Sequence, residues 1–438
     1  MATATDSMPP PSYAQVTGGV DTVVQHGGSG QEFPLSYVDF VPALITPRGF
    51  VKQPTYERFG DLVIKANSWL QAHPTIRIKT CESFEVMVNI QQVNTDVSIR
   101  LDYQHMQAYV RCLRIWIQSG TQAAEPQQIG YLNVVPGCKQ SGGWLSMPTF
   151  DTFSETINKL NEMLSAQPLP GQILNLETQD LKMYSWTGSV DPDESYWVES
   201  GNTGKAFLNI IRLFYEGAPP AHEQIGCVDF VPACTQQASF TRPFAFEPFS
   251  AVVLRAQEWI LQRTHLQVAS VQSINYMIYS TWSSTVLDTQ RTLFSELSES
   301  TTCYVRILRV CYVSGTSPTR QPITALACKT FVPCQLTQQG MFAQPTFETQ
   351  SETMRRALVW LQATGAKVIS AETVPLRRGP SLQFDPDATL HVKGTTIGQE
   401  LLVLRIFLDG YYSEPPSEVL PPVPMIAPAV NDGCCTLL

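Results

Sequence analysis

The phrase VDFVPA, at residues 38–43, recurs along the chain and decides the fold class. Related phrases begin at Asn133 (NVVPGC), Val228 (VDFVPAC) and Thr330 (TFVPC). Fourteen residues after the proline of each phrase comes an aromatic residue that is directly followed by an acid: Tyr56-Glu57, Phe150-Asp151, Phe246-Glu247 and Phe347-Glu348. Because four copies keep the same spacing, we expect one structural unit that is repeated four times in tandem.

Each copy also ends in an apolar strand that carries one arginine. These strands read LRIWIQSG, IRLFYEG, LRVCYVSG and LRIFLDG, and their arginines are Arg114, Arg212, Arg309 and Arg405. The arginines are 98, 97 and 96 residues apart, so the repeat is about 97 residues long. The first and third copies share VDFVPA, whereas the second and fourth do not, which indicates duplication of a pair.

Within each copy, the hydrophobic pattern predicts a β-α-β-β unit. The FVP phrase ends a short strand, and a helix is expected to begin near the aromatic-acidic pair, with Thr55, Thr149 and Thr346 as N-caps. An apolar stripe at helical spacing then precedes an alternating strand, such as IRIKTCESFEVMV, and the arginine strand. The predicted class is therefore α+β, with each helix packed on a small, mostly antiparallel sheet.

The predicted repeats lie between two terminal segments. A Pro- and Gly-rich leader covers residues 1–30, and a Pro-rich tail covers residues 413–438. This composition favours an extended chain, so we expect the tail to act as an unfolded spacer. Between the alternating and arginine strands the copies vary, and variable loops are common places for binding specificity. The repeats are assigned to residues 31–125, 126–222, 223–319 and 320–412.

Composition argues against several classes of function. The net charge is −9 and charged residues make up only 15% of the chain, so nucleic acid is not an expected partner. The sequence contains no catalytic motif, no metal-ligand pattern and no cofactor motif, and its 11 cysteines show no CxxC spacing. A non-catalytic protein is favoured. The alternative is a ligand-binding protein or an enzyme with its site between repeats.

The four repeated arginines are the main candidate site residues within the repeats. Each lies in an otherwise apolar strand, and a buried guanidinium needs a partner. The candidate partners are the acids that follow the aromatic residues, or a second set in the alternating strand: Glu82, Glu177, Gln272 and Glu372. The arginines could brace each repeat or form a set of anion sites. The brace is favoured because buried charges are usually paired.

The last residues resemble a signal for lipid attachment. Cys435-Thr436-Leu437-Leu438 resembles a CaaX prenylation box, and the final leucine implies a geranylgeranyl group on Cys435, with the methylation that accompanies processing. One lipid chain binds membranes only marginally, so Cys434 is the candidate for a second, palmitoyl group. The last three residues also resemble a PDZ-domain ligand, which needs the free carboxylate that prenyl processing removes.

A second short motif lies near the other end of the chain. Pro10-Pro11-Ser12-Tyr13 matches the PPxY ligand of WW domains, which bind preformed polyproline segments. The sequence has no run of 18 apolar residues and no secretory leader. These features predict a lipid-anchored scaffold or adaptor on the cytoplasmic face of a membrane, with a cytosolic pool and a WW-domain partner. The alternative is a soluble adaptor that presents a PDZ ligand.

Overall fold

The computed structural model describes most of the four predicted repeats. The described residues are 33–49, 52–88, 93–102, 107–120, 125–143, 146–183, 189–199, 205–237, 244–263, 266–281, 284–296, 302–314, 321–340, 344–378, 384–393 and 398–428.

In chain order, the first two repeats contain similar elements. The first has β1 (Ser36–Phe40), β2 (Leu44–Thr46), β3 (Thr55–Tyr56), α1 (Phe59–Ala72), β4 (Ile76–Met87), β5 (Ile99–Asp102) and β6 (Ala108–Ser119). The second has β7 (Ile129–Val134), β8 (Cys138–Gln140), β9 (Thr149–Phe150), α2 (Phe153–Ala166), β10 (Gly171–Met183), β11 (Tyr196–Val198) and β12 (Lys205–Gly217).

The last two repeats follow the same order. The third has β13 (Gln224–Phe230), β14 (Cys234–Gln236), β15 (Ala245–Phe246), α3 (Phe249–Leu261), β16 (Gln267–Met277), β17 (Tyr279–Thr281), β18 (Ser284–Val286), β19 (Leu293–Glu296) and β20 (Thr302–Ser314). The fourth has β21 (Leu326–Phe331), α4 (Gln350–Thr364), β22 (Lys367–Arg377), β23 (Leu390–Lys393) and β24 (Gly398–Asp409).

Four antiparallel sheets stand in a ring, like the blades of a propeller. In each blade the arginine strand is in the middle, between the alternating strand on its inner side and the FVP strand on its outer side. The four inner strands, β4, β10, β16 and β22, contact one another in cyclic order around a central axis.

Each blade is completed by a strand from the following repeat. β11 pairs with β6, β19 with β12, and β23 with β20. β5 of the first repeat pairs with β24 of the fourth, with Leu101 opposite Gln399, so the exchange closes the ring. The four repeats are present as predicted. The prediction of separate α+β units is wrong, because the sheets are shared between neighbours in a propeller-like ring.

Each helix packs between its own blade and the next one. In α1 the predicted stripe is buried at Phe59, Leu62, Val63, Ala66 and Leu70. These side chains share one core with residues of the second blade, Ile129 and Phe214. A helix stripe thus covers apolar surface from two repeats, which is why one repeat does not enclose a core by itself. The same arrangement joins α4 to the first blade through Leu35, Tyr37 and Trp116.

The helices begin later than the sequence indicated. The predicted N-caps Thr55 and Thr149 lie in the two-residue strands β3 and β9, which close a small hairpin after each FVP phrase. Thr346 bonds to Thr337 across the corresponding turn in the fourth repeat. The N-cap positions are instead three residues further along the chain: Arg58, Thr152, Pro248 and Thr349.

Candidate functional site

The four repeated arginines are buried where neighbouring blades meet. In the first and third blades the guanidinium forms a bidentate ion pair. Arg114 donates to both oxygens of Asp39 at 2.7 Å, and Arg309 donates to both oxygens of Asp229 at 2.6 and 2.7 Å. Burial lowers the pKa of each arginine, but the neighbouring acidic groups more than offset this and hold the pKa above its ordinary value.

In the second and fourth blades the arginines have neutral partners. Arg212 donates to Asn133 at 2.8 Å and to the Pro192 carbonyl at 2.6 Å. Arg405 donates to Thr330 at 3.3 Å and to the Pro386 carbonyl at 3.0 Å. Burial lowers the pKa of Arg212 to about 10, although the Glu177 carboxyl acts in the opposite direction. This alternation between blades matches the duplication of a pair that the VDFVPA phrase indicates.

Every repeated arginine also reaches the inner strand of the preceding blade. In each case Nη1 donates to a hydroxyl group at 2.7 to 2.9 Å. The pairs are Arg212 with Ser83, Arg309 with Thr178, Arg405 with Ser273, and Arg114 with Thr373. Because the last pair joins the first repeat to the fourth, these contacts form a closed cycle.

The predicted inner-strand partners lie around the central axis, one position before these hydroxyl-bearing residues. Each accepts a hydrogen bond from a backbone N–H of the preceding blade, at 2.7 to 2.9 Å. The pairs are Glu177 with Ser83, Gln272 with Thr178, Glu372 with Ser273, and Glu82 with Thr373. The Ser83 hydroxyl of the first repeat accepts a hydrogen bond from Arg212 and donates one to the Glu177 carboxyl. These two residues of the second blade are therefore linked through a side chain of another repeat.

The inner strands surround a cavity of about 260 Å³ on the axis. Burial raises the pKa of Glu177 and of Glu372 to about 7, and it also raises the pKa of Glu82, although nearby arginines oppose the shift. The carboxyl groups of Glu177 and Glu372 can therefore exchange protons near neutral pH. Across the described ranges, no group of His, Cys, Asp or Glu side chains is arranged to hold a metal ion.

The other predicted set of arginine partners stabilises the small hairpins instead. Glu57 accepts a hydrogen bond from the Ala43 N–H at 2.7 Å and forms an ion pair with Lys65. The equivalent acids do the same with a backbone N–H and a basic residue: Asp151 with Gly137 and Lys159, Glu247 with Ala233 and Arg255, and Glu348 with Cys334 and Arg356. Of the two candidate sets of partners, this one is therefore wrong, because the acids pair with other basic residues.

Sequence reasoning missed a second repeated element in the segments that it treated as variable. Turns at residues 94–96, 191–193, 288–290 and 385–387 recur every 97 residues. Each turn caps the helix of the preceding repeat, because its last carbonyl accepts from the first helical N–H at 2.8 to 3.0 Å. The pairs are Phe59 with Asp193, Phe153 with Gln290, Phe249 with Asp387, and Gln350 with Asp96. The constant spacing of these turns along the sequence was the signal that could have revealed them.

The Pro-rich tail packs against the fourth blade as far as residue 428. Glu414 accepts from the Trp360 indole at 2.9 Å and from Lys329 at 2.5 Å. Near the end, Ala427 donates to the Leu336 carbonyl at 2.8 Å and accepts from the Gln338 N–H at 2.9 Å. Residues 413–428 are therefore not a free spacer, because the tail contacts the fourth blade at Glu414, Leu420 and Ala427.

The terminal signal motifs lie outside the described residues. They comprise the WW-ligand residues Pro10, Pro11 and Tyr13 and the lipidation candidates Cys434 and Cys435. Of the helices in the described part of the chain, none is both long and apolar enough to cross a bilayer.

Comparison with known proteins assigns the chain to no family, so the class of protein is described from the structure. Neither a protein-family model, nor a curated protein, nor a solved structure matches this chain. The chain is a ring of four blades that are joined by exchanged strands, shared helix caps and buried arginines.

Proposed function

We propose that the protein is a non-catalytic scaffold on the cytoplasmic face of a membrane. A geranylgeranyl group on Cys435 and a palmitoyl group on Cys434 anchor it, and the segment Pro10-Pro11-Ser12-Tyr13 recruits a WW-domain protein. The observation that carries this proposal is the place where the two ends of the described chain leave the ring.

Residues near both ends of the described chain contact the core between the first and fourth blades. Leu35, close to the start of the described chain, is buried in the same core as Trp360 of α4. Leu420 of the tail packs against this core. Described residues near both ends of the chain thus share one core, which supports the proposal that a WW-bound partner is held beside the membrane surface.

The docked tail also makes the anchor short. The lipidated Cys435 is the seventh residue after Pro428, and this stretch spans at most about 25 Å when fully extended. The ring would therefore stay close to the bilayer. No polybasic segment adds to the binding, so a second lipid chain on Cys434 supplies the affinity that one chain lacks.

Replacing the prenylation cysteine tests the anchor directly. Cys435→Ser should move most of the protein from the membrane fraction to the cytosol, because the thioether can no longer form. Cys138→Ser is the matched control, since Cys138 is a solvent-exposed cysteine on the body of the ring, and it should leave the distribution unchanged.

The mature end of the chain distinguishes the two adaptor hypotheses. Mass spectrometry of the endogenous protein should find Cys435 as the last residue, carrying an isoprenoid and a methyl ester. Recovery of an intact, unmodified end at Leu438 would contradict the anchor and favour the soluble adaptor with a PDZ ligand.

A further inference from the structure

One inter-blade boundary differs from the other three. At the second, third and fourth arginines, the first helical residue of the preceding repeat is a phenylalanine that lies under the guanidinium. The distances to the ring centres are 3.7 Å for Phe59, 3.4 Å for Phe153 and 3.9 Å for Phe249. At the boundary between the fourth and first blades, Gln350 takes this position, and Arg114 lies over the Tyr37 ring instead.

A cavity of about 550 Å³ lies at this boundary, and we call it the seam cavity. Its volume falls in the range of about 300–1,000 Å³ that is usual for small-molecule sites. Arg114 and Gln350 both line it. Much of the remaining wall is apolar and includes Phe84, Val86, Ile99, Leu101, Pro345 and Leu402.

Two buried polar atoms in the wall are without a partner among the described residues: Gln350 Oε1 and Thr95 Oγ1. Gln350 is 1% exposed and Thr95 is 4% exposed. The orientation of the Gln350 amide is fixed, because its Nε2 donates to Ser98 Oγ and to the Leu402 carbonyl. Its oxygen is closed off from solvent without a partner among the described residues, and a buried acceptor without a donor is unfavourable. The apolar part of the wall favours a ligand with an apolar chain.

The docked tail ends beside this wall. The backbone of Ala427 pairs with Thr337, and the Thr337 hydroxyl accepts from the Thr346 N–H at 2.9 Å. Thr346 directly follows Pro345 of the cavity wall. Cys435 is the seventh residue after Pro428, so the cysteine can reach about 25 Å from the docked end. A prenylated cysteine would offer both an apolar isoprenoid and a backbone N–H.

We propose that the seam cavity binds the isoprenoid carried by Cys435. The protein then alternates between a form whose lipid is enclosed by the ring and a form whose lipid is inserted in the membrane. This inference rests on the proposed function for the source of the isoprenoid. The cavity itself is tested without that assumption.

The first experiment uses full-length protein made in bacteria, whose cysteines are unmodified. N-acetyl-S-geranylgeranyl-cysteine is titrated into it by isothermal calorimetry, and saturable binding is expected. Gln350→Phe places in the cavity the residue that the other three repeats carry at this position, so it should weaken binding at least tenfold. The urea midpoint checks that the variant folds. Absence of saturable binding to the unchanged protein, or equal binding by Gln350→Phe, would overturn the proposal.

Thr95→Val is the matched control. It removes the second unpartnered polar atom and keeps the shape of the cavity, so an isoprenoid should bind at least as tightly as before. N-acetyl-S-hexadecyl-cysteine tests the class of lipid. If this linear chain binds more tightly than the isoprenoid, the assignment to an isoprenoid is wrong.

The second experiment follows the prenylated protein in cells. Gln350→Phe should reduce the cytosolic fraction at least twofold, because the lipid loses its enclosed site. Suppose that the original protein binds the probe in calorimetry but Gln350→Phe leaves the cellular distribution unchanged. The Cys435 lipid is then not the occupant of the seam cavity. Mass spectrometry of the same samples detects an unmodified Cys435, which would refute the anchor separately from the calorimetric result.

Discussion

At the scale of single residues, the repeated arginines show that one position can have different electrostatic surroundings in alternate blades. Arg309 faces a carboxylate, Asp229, whereas Arg405 faces the hydroxyl of Thr330 and a backbone carbonyl. The sequence identified all four arginines. It did not identify their partners, because these are far away along the chain: Asp229 is 80 residues from Arg309 in the same repeat, and Thr178 of the preceding repeat is 131 residues away.

Removing the repeated arginine should therefore lower the free energy of unfolding more in the third blade than in the fourth. Arg309→Met leaves Asp229 buried and unpaired and should lower the free energy of unfolding by about 3–5 kcal/mol. Arg405→Met removes direct bonds to neutral groups only, because the Glu372 carboxyl is reached through the Ser273 hydroxyl, and it should cost about 1–3 kcal/mol. The urea midpoint of the full chain measures both. Adding Asp229→Asn to Arg309→Met should recover part of the lost stability in the third blade, because asparagine occupies the equivalent position, Asn133, in the second blade. Unchanged stability in both variants would indicate anion sites rather than braces.

The axial carboxyl groups predict a pH dependence of stability. Burial raises the pKa of Glu177 and of Glu372 from 4.5 to about 7. Between these values the folded protein keeps protons that the unfolded chain releases, so stability should fall as the pH rises from about 4.5 to 7. The loss is on the order of 3 kcal/mol for each group.

A double variant tests this dependence. Glu177→Gln with Glu372→Gln should flatten the fall, because glutamine already occupies the equivalent position at Gln272 and bonds to the Thr178 backbone. Urea unfolding at several pH values measures the slope. A double variant that keeps the slope of the unchanged protein would show that other groups cause it.

At the scale of elements, the long helices and strands were predictable and the short ones were not. The stripe that begins at Phe59 and the alternation that ends at Met87 each cover at least three turns or ten residues, so their periods are clear in the sequence. The exchanged strands have only three or four residues, and the hairpin strands have two or three. Such runs are too short to show a period, and their pairing depends on a neighbouring repeat.

The shared helix caps give a prediction at this scale. α3 has no side-chain cap of its own, and Asp387 accepts from the Ser250 N–H at 2.6 Å and from its hydroxyl at 2.8 Å. Asp387→Ala should therefore destabilise the protein by about 1 kcal/mol and speed hydrogen exchange in the first turn of α3. Gln290→Ala is the control, because α2 keeps its own capping box of Thr152 and Glu155. Equal effects of the two changes would contradict the dependence of α3 on the next repeat.

At the scale of the whole molecule, the ring depends on all four repeats. An isolated third repeat, residues 223–319, would lack the exchanged strand β23 and the second wall of its core, which includes Leu326 and Phe407. We expect this fragment to be unfolded, as measured by circular dichroism and amide NMR dispersion, while the full chain is folded. A cooperative unfolding transition in the fragment alone would show that one repeat is a self-sufficient domain.

The sequence by itself determined the number of repeats, their period of about 97 residues, and the residues that form the helix stripes and long strands. These features depend on local periodicity, which a linear chain displays directly. Only the tertiary structure decided that the units form a ring, that each gives a strand and a helix cap to its neighbour, and that the fourth boundary holds a cavity at Gln350. The reason is that these contacts join residues of different repeats, so their partners follow from how the blades meet in space.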